Sequence, residues 1–387
     1  MSAPDRITHK RTGEYFAALD GFRGLLAVFV AMYHTIWLSH PNQWAFFDNG
    51  PVIIDLFFAF SGFLLWRLYA EKLAAPAQVG AFLKRRFARL YPLHLFMTCV
   101  FLAFAIARLA AHKVGLADVT PGEVLPFEAG AAEGWGSLLQ HLTLTQALGL
   151  SETLTFNPPS WTIGAEFCTY LIFAAVMLWA KPKRWVDFII MAGVVVALYA
   201  GLSRLGTDMN LTYDYGFWRC CAGFFTGVLT ARLFASVSPM LKRLSFATAS
   251  CLEILVLLGS ACFVIYAGGR AQFFVAPVLA LFVLIFSQDA GLISRVMSAK
   301  FFRYLAKISY SVYMTHVIVA IGFAIILERV LGGLPRDYAG DVWLLAYLLV
   351  VVGVSHLTQR YIEIPGQRYI MSLGQRRKRL AQGQASV

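Results

Sequence analysis

Two residues in the first apolar stretch could do chemistry together. Arg23 and His34 stand eleven positions apart. On an α-helix, at about 100° per residue, that is three turns plus about 20°, so both lie on one stripe roughly 16 Å apart along the axis. Asp20, three residues before Arg23, has the spacing of a helical ion pair. Such a stripe would line a polar path. The plainer alternative is an arginine reaching to the interface and a histidine packed at the far end. The second stretch reads Asp55-Leu56-Phe57-Phe58-Ala59-Phe60-Ser61-Gly62-Phe63. Asp55 is a possible partner for His34, or a helix-start acid facing water. Ser61-Gly62 is a small-residue place where another helix can come close. In Asn157-Pro158-Pro159-Ser160-Trp161-Thr162-Ile163-Gly164-Ala165-Glu166, the prolines fix the approach to a helix, Ser160 can cap it, and Trp161 suits an interfacial belt. Glu166 then falls about a turn and a half inside the helix, where a bare carboxylate needs a partner. Arg219 is a lone cation in a later stretch, His316 closes Ser309-Tyr310-Ser311-Val312-Tyr313-Met314-Thr315-His316, and Glu363-Ile364-Pro365 ends the last one. Each ionisable group inside a membrane helix costs about 2.5–3.5 kcal/mol on insertion scales. Together these groups imply a polar interior that either transports or catalyses.

A second constellation is basic. Lys84-Arg85-Arg86-Phe87-Ala88-Arg89-Leu90-Tyr91-Pro92 puts Arg85 or Arg86 with Arg89 on one helical face. Arginine forks match phosphate oxygens, so the segment suits a phosphate-bearing cytoplasmic ligand. Topology signalling and contact with anionic lipid would use the same charges.

The elements that must position these groups are membrane helices. Of 387 residues 59% are hydrophobic and 14% charged, against about 25% charged in soluble domains. Apolar runs of about 18–25 residues select helices rather than barrel strands. Ten spans are expected, at 15–38, 51–69, 90–111, 161–180, 185–203, 214–234, 248–268, 271–288, 303–328 and 341–361, so the fold class is all-α, a polytopic helical bundle. The first is no cleavable leader, because Asp20 and Arg23 interrupt its apolar core. Every second connection is rich in Lys and Arg, beginning with Arg6, Lys10 and Arg11 and ending with Arg376, Arg377, Lys378 and Arg379. The intervening ones are poor in them; the long 112–160 connection sets Lys113 against Asp118, Glu123, Glu128, Glu133 and Glu152. That alternation places both termini in the cytoplasm. The net charge of +12 is spread in short pieces between spans, which argues against a nucleic-acid partner and for the lipid bilayer. Cys99, Cys168, Cys220, Cys221, Cys251 and Cys262 fall in apolar runs without metal-ligand spacing, so they read as buried apolar thiols and no metal is expected. The organisation reads as a cytoplasmic segment 1–14, a transmembrane domain 15–368 and a basic cytoplasmic tail 369–387. No feature of the sequence sets an oligomeric state.

These segments, in this order, resemble the acyltransferase-3 family of bacterial integral membrane O-acyltransferases. The likeness covers about 15 to 368. It is carried by Leu19 to Gly24 with Arg23 and His34, by Asp55 to Phe63, and by Arg85, Arg86, Arg89, Tyr91 and Pro92. Trp161 to Glu166 follow, with Thr162 where serine is commoner, then Ser309 to His316, and last Glu363 with Pro365. The resemblance implies a bacterial inner-membrane enzyme. It would transfer an acyl group, most often acetyl, from cytoplasmic acyl-coenzyme A to a hydroxyl of a cell-surface or exported carbohydrate. Some members carry an additional extracytoplasmic hydrolase-like domain; a chain of this length is expected to be a single-domain acyltransferase.

Roles follow from the resemblance as expectations. His34 acts as general base on the acceptor hydroxyl or carries the acyl group transiently. Arg23 stabilises the thioester oxyanion or positions the donor. Asp55 or Glu166 orients His34 or binds acceptor, and Arg85, Arg86 and Arg89 hold coenzyme A phosphates. Asp20, Ser61, Trp161, Arg219, Tyr313 and His316 are expected around substrate or cavity. His34 is placed toward the outer side while the donor is inside, so a pantetheine arm threading into the bundle or an acyl relay must join them. The rival class is a transporter or flippase of a polar or lipid-linked substrate. It predicts discontinuous helices in two related halves, and the sequence has no such symmetry. A non-catalytic assembly or receptor protein would leave Arg23 and His34 without a task.

Overall fold

The computed structural model describes residues 15–116 and 124–373. The charges predicted at Arg6, Lys10, Arg11, Asp118, Glu123 and Arg376 to Arg379 lie outside the described residues.

All regular structure among the described residues is helical. A chain shielded from water must satisfy its backbone N–H and C=O groups within each segment. In order the elements are α1 (Ala17–Tyr33), a short α2 (Ala45–Asp48), α3 (Ile53–Tyr69), α4 (Pro76–Lys113), α5 (Trp135–Thr143), α6 (Trp161–Ala175), α7 (Trp185–Leu205), α8 (Gly216–Leu241), α9 (Phe246–Tyr266), α10 (Val275–Phe286), α11 (Leu292–Met297), α12 (Lys300–Leu331), α13 (Asp337–Thr358) and α14 (Ile364–Ser372). Among the described residues, 9 helices are long and apolar enough to cross a membrane. These nine correspond to the second through tenth expected spans. The first corresponds to α1, a helix of 17 residues.

Close helix contacts set the architecture. α1 runs along α12, and α3 along α8. Glycine makes both approaches possible. A Cβ at Gly24 would lie 2.5 Å from the Ala306 backbone nitrogen on α12. A Cβ at Gly62 would overlap the Phe224 carbonyl on α8, and one at Gly227 the Ala59 carbonyl on α3. The Ser61-Gly62 pair therefore has the packing role its small size predicts.

Two local expectations change, the start of the third span and the cap at Ser160. The basic connection before the third span is itself helical: α4 begins at Pro76 and runs 38 residues with Pro92 inside it. Proline suits the first helical turn, and Gln78 Oε1 accepts from the Ala74 and Ala75 N–H groups at 2.8 and 3.1 Å. Ser160 makes no capping bond; its hydroxyl lies 3.3 Å from His141 Nδ1 instead. The long connection folds back onto the bundle, where His94 Nε2 donates to the His141 carbonyl at 2.8 Å and Asn157 Nδ2 donates to the Met314 carbonyl at 3.1 Å.

Candidate active site

A cavity of about 2000 Å³ opens among α1, α3, α4, α6, α8 and α12. Eight of the expected site residues form part of its wall: Asp20, Arg23, Ser61, Arg85, Arg86, Arg89, Glu166 and Tyr313. Five do not: His34, Asp55, Trp161, Arg219 and His316.

On α1, Arg23 Nη1 donates to Asp20 Oδ1 at 3.3 Å, and both side chains stay partly open, at 28% and 21%. The predicted i,i+3 pair thus forms at the cavity wall. On α4, Arg85 Nε and Arg86 Nη2 donate to the Tyr69 hydroxyl at 3.2 and 3.3 Å. Both guanidinium carbons lie 5.5 Å from the Tyr69 ring centroid. One tyrosine at the end of α3 thereby holds two like charges side by side, partly screened by a π-face. Sequence spacing gave no sign of Tyr69, because it reaches α4 from the preceding helix. Arg89 Nη1 lies 4.0 Å from Glu363 Oε1, and Glu363 also accepts from Ser311 Oγ at 2.9 Å. Glu363 belongs to a π-helical turn, Gln359–Glu363, a distortion that often marks functional positions. Glu166 finds the partners its depth demands: Ser61 Oγ and Tyr170 OH both donate to Oε1 at 2.5 Å.

His34 lies beyond this cavity. His316 Nε2 approaches His34 Nδ1 at 3.3 Å, with ring centroids 4.9 Å apart. Backbone carbonyls assign the protons. His34 Nδ1 lies 2.8 Å from Val30 O and His316 Nδ1 lies 3.1 Å from Val312 O. A carbonyl only accepts, so both Nδ1 atoms carry hydrogen when the rings are neutral, and the lone pairs fall on Nε2. The single hydrogen on His34 Nδ1 is shared between Val30 O, the nearer acceptor, and His316 Nε2, and His34 Nε2 is left as the basic nitrogen. Tyr347 OH donates to Ala31 O at 3.1 Å and to His316 O at 3.2 Å, which ties together the helices bearing the two histidines.

Tyr313 stands between the cavity and the histidines. It lines the cavity, and its ring centroid is 5.9 Å from that of His316. Its hydroxyl donates to Pro159 O at 3.1 Å and lies 3.1 Å from Thr162 Oγ1. The hydroxyl kept at Thr162 is used for this contact.

Asp55 is not the partner of His34. Its carboxylate accepts from Arg219 Nε at 3.2 Å on each oxygen and from Nη2 at 2.7 Å. The pair is buried, 1% and 0% exposed. Arg219 also donates to the Leu211 carbonyl at 3.2 Å and to the Pro51 carbonyl, and its guanidinium carbon lies 5.5 Å from the Trp161 ring. Arg219 is therefore not a lone cation, and Trp161 is not in an interfacial belt but buried beneath it. Desolvation decides this: a charge taken out of water needs an opposite charge and full hydrogen bonding. The three residues lock α3, α6 and α8 together away from the cavity.

His94 and His141 form a further buried pair that sequence spacing did not single out. Their rings stack at 5.9 Å, and His141 Nε2 lies 3.1 Å from Thr155 Oγ1. Burial, then the neighbouring His94, pushes His141 down to about 3. It is a neutral structural histidine holding the long connection.

The family model for an acyltransferase domain matches residues 16–359. The chain belongs to the acyltransferase-3 family. Among curated relatives, the peptidoglycan O-acetyltransferase OatA of Listeria monocytogenes is 24% identical over 329 residues, covering 80% of this chain and 50% of that one. The O-acetyltransferase OatA of Staphylococcus aureus is 22% identical over 385 residues, 93% of this chain and 58% of that one. The acyltransferase MdmB of Streptomyces mycarofaciens is 31% identical over 137 residues, 35% of this chain and 30% of that one. The chain thus spans 50% and 58% of the length of the two OatA relatives. No solved structure matches. Within this acyltransferase-3 chain, residues that carried the resemblance fall in a cationic cavity wall, in a histidine pair behind it, and, at Asp55 and Trp161, in a buried cluster around Arg219.

Proposed function

We propose that this chain moves an acyl group, most simply acetyl, from acyl-coenzyme A to a hydroxyl of a cell-surface or exported carbohydrate at a bacterial inner membrane, with both termini in the cytoplasm. The observation that carries the reading is a cationic cavity whose inner end, at Tyr313, abuts a tautomer-defined histidine pair. In the orientation set by the Lys and Arg alternation, Arg85, Arg86 and Arg89 line the cavity at its cytoplasmic mouth. The volume supports an extended donor: about 2000 Å³ is twice the upper end, about 1,000 Å³, of common small-molecule pockets.

The thioester supplies an acyl carbon open to attack by an alcohol, with the thiol as leaving group. His34 Nε2 takes the proton of the acceptor hydroxyl as it attacks and returns it to the departing sulfur, so no net proton is consumed. His316 holds the His34 ring in the tautomer that leaves Nε2 basic. Arg23 is assigned to positioning the donor rather than to the oxyanion, because roughly 16 Å of helix separates it from His34 and both cannot serve one carbonyl. Arg85 and Arg86, pre-aligned on Tyr69, bind phosphate, and Glu166 binds the acceptor or the donor's pantetheine amides. Joining the two sides requires the Tyr313 ring to yield.

The test is the O-acyl content of surface glycans in cells making the protein. His34→Ala should lower transfer by about 10²–10⁴-fold, the usual contribution of a general base, while the protein still inserts. Full acylation by that variant would sink the assignment. Arg85→Gln with Arg86→Gln should raise the donor KM at least tenfold, as expected for loss of charge-assisted phosphate bonds. An unchanged donor dependence would remove both from the site.

A further inference from the structure

The cavity carries more cationic wall than three arginines on α4 provide. On the side formed by α3, α7 and α8 it is lined by Trp66, Phe188, Arg232 and, from the connection before α7, Lys183. None of these belongs to the segments that carried the family resemblance. Trp66 and Phe188 meet edge to face with centroids 5.4 Å apart. The Arg232 guanidinium carbon lies 4.2 Å from the Trp185 ring centroid and 5.3 Å from that of Phe188. Its hydrogen bond goes to Ser236 Oγ at 3.5 Å, and it takes part in no ion pair among the described residues.

Arg232 lies on α8 (Gly216–Leu241), two residues before the end of the expected span 214–234 and against Trp185, the first residue of α7, so it stands at the same end of the bundle as the basic connections. Its side chain lines the cavity. Aromatic faces hold it extended, at little entropy cost on binding. Arg219 lies on the same helix but is neutralised by Asp55; Arg232 is pre-aligned yet not neutralised. An arginine and a lysine beside a half-buried tryptophan suit one ligand chemistry: a heteroaromatic ring carrying a phosphate.

We propose that this lobe binds the adenosine 3′-phosphate end of the donor, with the purine against Trp66 and the 3′-phosphate on Arg232 and Lys183. The diphosphate is thereby left to Arg85, Arg86 and Arg89. The proposal rests on coenzyme A being the donor. A lipid headgroup phosphate shares the chemistry, so the experiment separates the two.

The full chain in lipid nanodiscs is titrated calorimetrically with coenzyme A and with 3′-dephospho-coenzyme A. Wild type should bind coenzyme A about tenfold or more tightly than the dephospho form, the worth of a charge-assisted phosphate contact. In Arg232→Gln that ratio should fall to about twofold or less; because it compares two probes on one preparation, partial misfolding cancels. Equal affinities in wild type, or an undiminished ratio in the variant, would overturn the assignment. So would a variant whose only change is a lost difference between phosphatidylcholine and phosphatidylglycerol nanodiscs, which would make the lobe a lipid site. If wild type binds neither probe, the donor reading falls and this one with it; if it binds both equally, only the lobe assignment falls.

Discussion

At the residue scale, the same side-chain types take opposite tasks according to what surrounds them. Arg219 and Asp55 are fully buried and hydrogen-bonded to each other, so neither is free to meet substrate. Arg23 and Asp20 are closer in sequence, but their partial exposure at the cavity leaves both able to exchange partners. Removing one member of a buried pair strands the other charge, at about 3–5 kcal/mol. Arg219→Ala should therefore lower the unfolding midpoint sharply in detergent-solubilised protein, whereas Arg23→Ala should lower activity and leave the midpoint near wild type. The double variant Asp55→Ala with Arg219→Ala should be less destabilised than the sum of the single changes, because no uncompensated charge remains. Strict additivity in that cycle would show that the pair does not lock α3 to α8.

At the element scale, α1 is the part that must not move. It carries Arg23 to the cavity and His34 to His316, and α12 brings both Tyr313 and His316 to the same place. The register of α1 on α12 thus sets the histidine geometry. Gly24 allows the contact, since a Cβ there meets the Ala306 nitrogen at 2.5 Å. The start of α1 is fixed from elsewhere: Asp289, beyond α10, accepts from the Ala17 and Ala18 N–H groups at 3.0 and 2.8 Å. Those N–H groups have no partner within their own helix. Gly24→Val should force α1 away from α12. The expected result is overpacking of about 1–3 kcal/mol together with loss of acyl transfer, although Arg23 and His34 are both still present. Normal transfer by this variant would mean that the register of the two helices is not what aligns the site.

At the scale of the whole molecule, the groups proposed for donor binding and for catalysis lie on opposite sides of Tyr313, and the long connection before α6 packs on the part of α4 that follows Arg85, Arg86 and Arg89. His141 anchors that connection in a neutral form. Its folded value is about 3 against an ordinary 6.5, so acid protonates it in the unfolded chain first. The sign follows directly: stability contributed by His141 is complete above pH 6.5 and is lost progressively as pH falls toward 3. Thermal unfolding in detergent across that window should show a falling midpoint in wild type. The fall should be shallower in His141→Gln, which has no such proton to take up. A slope identical in both would remove His141 as its source.

The acyltransferase-3 architecture was legible in the sequence because its causes are local. The length of an apolar run sets a membrane helix, and the 3.6-residue period puts Arg23 with His34 and Asp20 with Arg23. That period also groups Arg85, Arg86 and Arg89, since α4 is helical well before the apolar run begins. Tertiary structure decided the partners. Asp55 meets Arg219, 164 positions away, and His34 meets His316, 282 positions away. No spacing rule reaches across such separations. A buried charge takes the opposite charge that packing brings to it, and the small residues at Gly24 and Gly62 determine which helices come close enough. Tyr313, Tyr69 and Tyr347 were silent or ambiguous in the sequence for the same reason: each acts on an element other than its own. The stripe from Arg23 to His34 was visible from the start, but only the packed bundle divides it, with one end in the cavity and the other behind Tyr313.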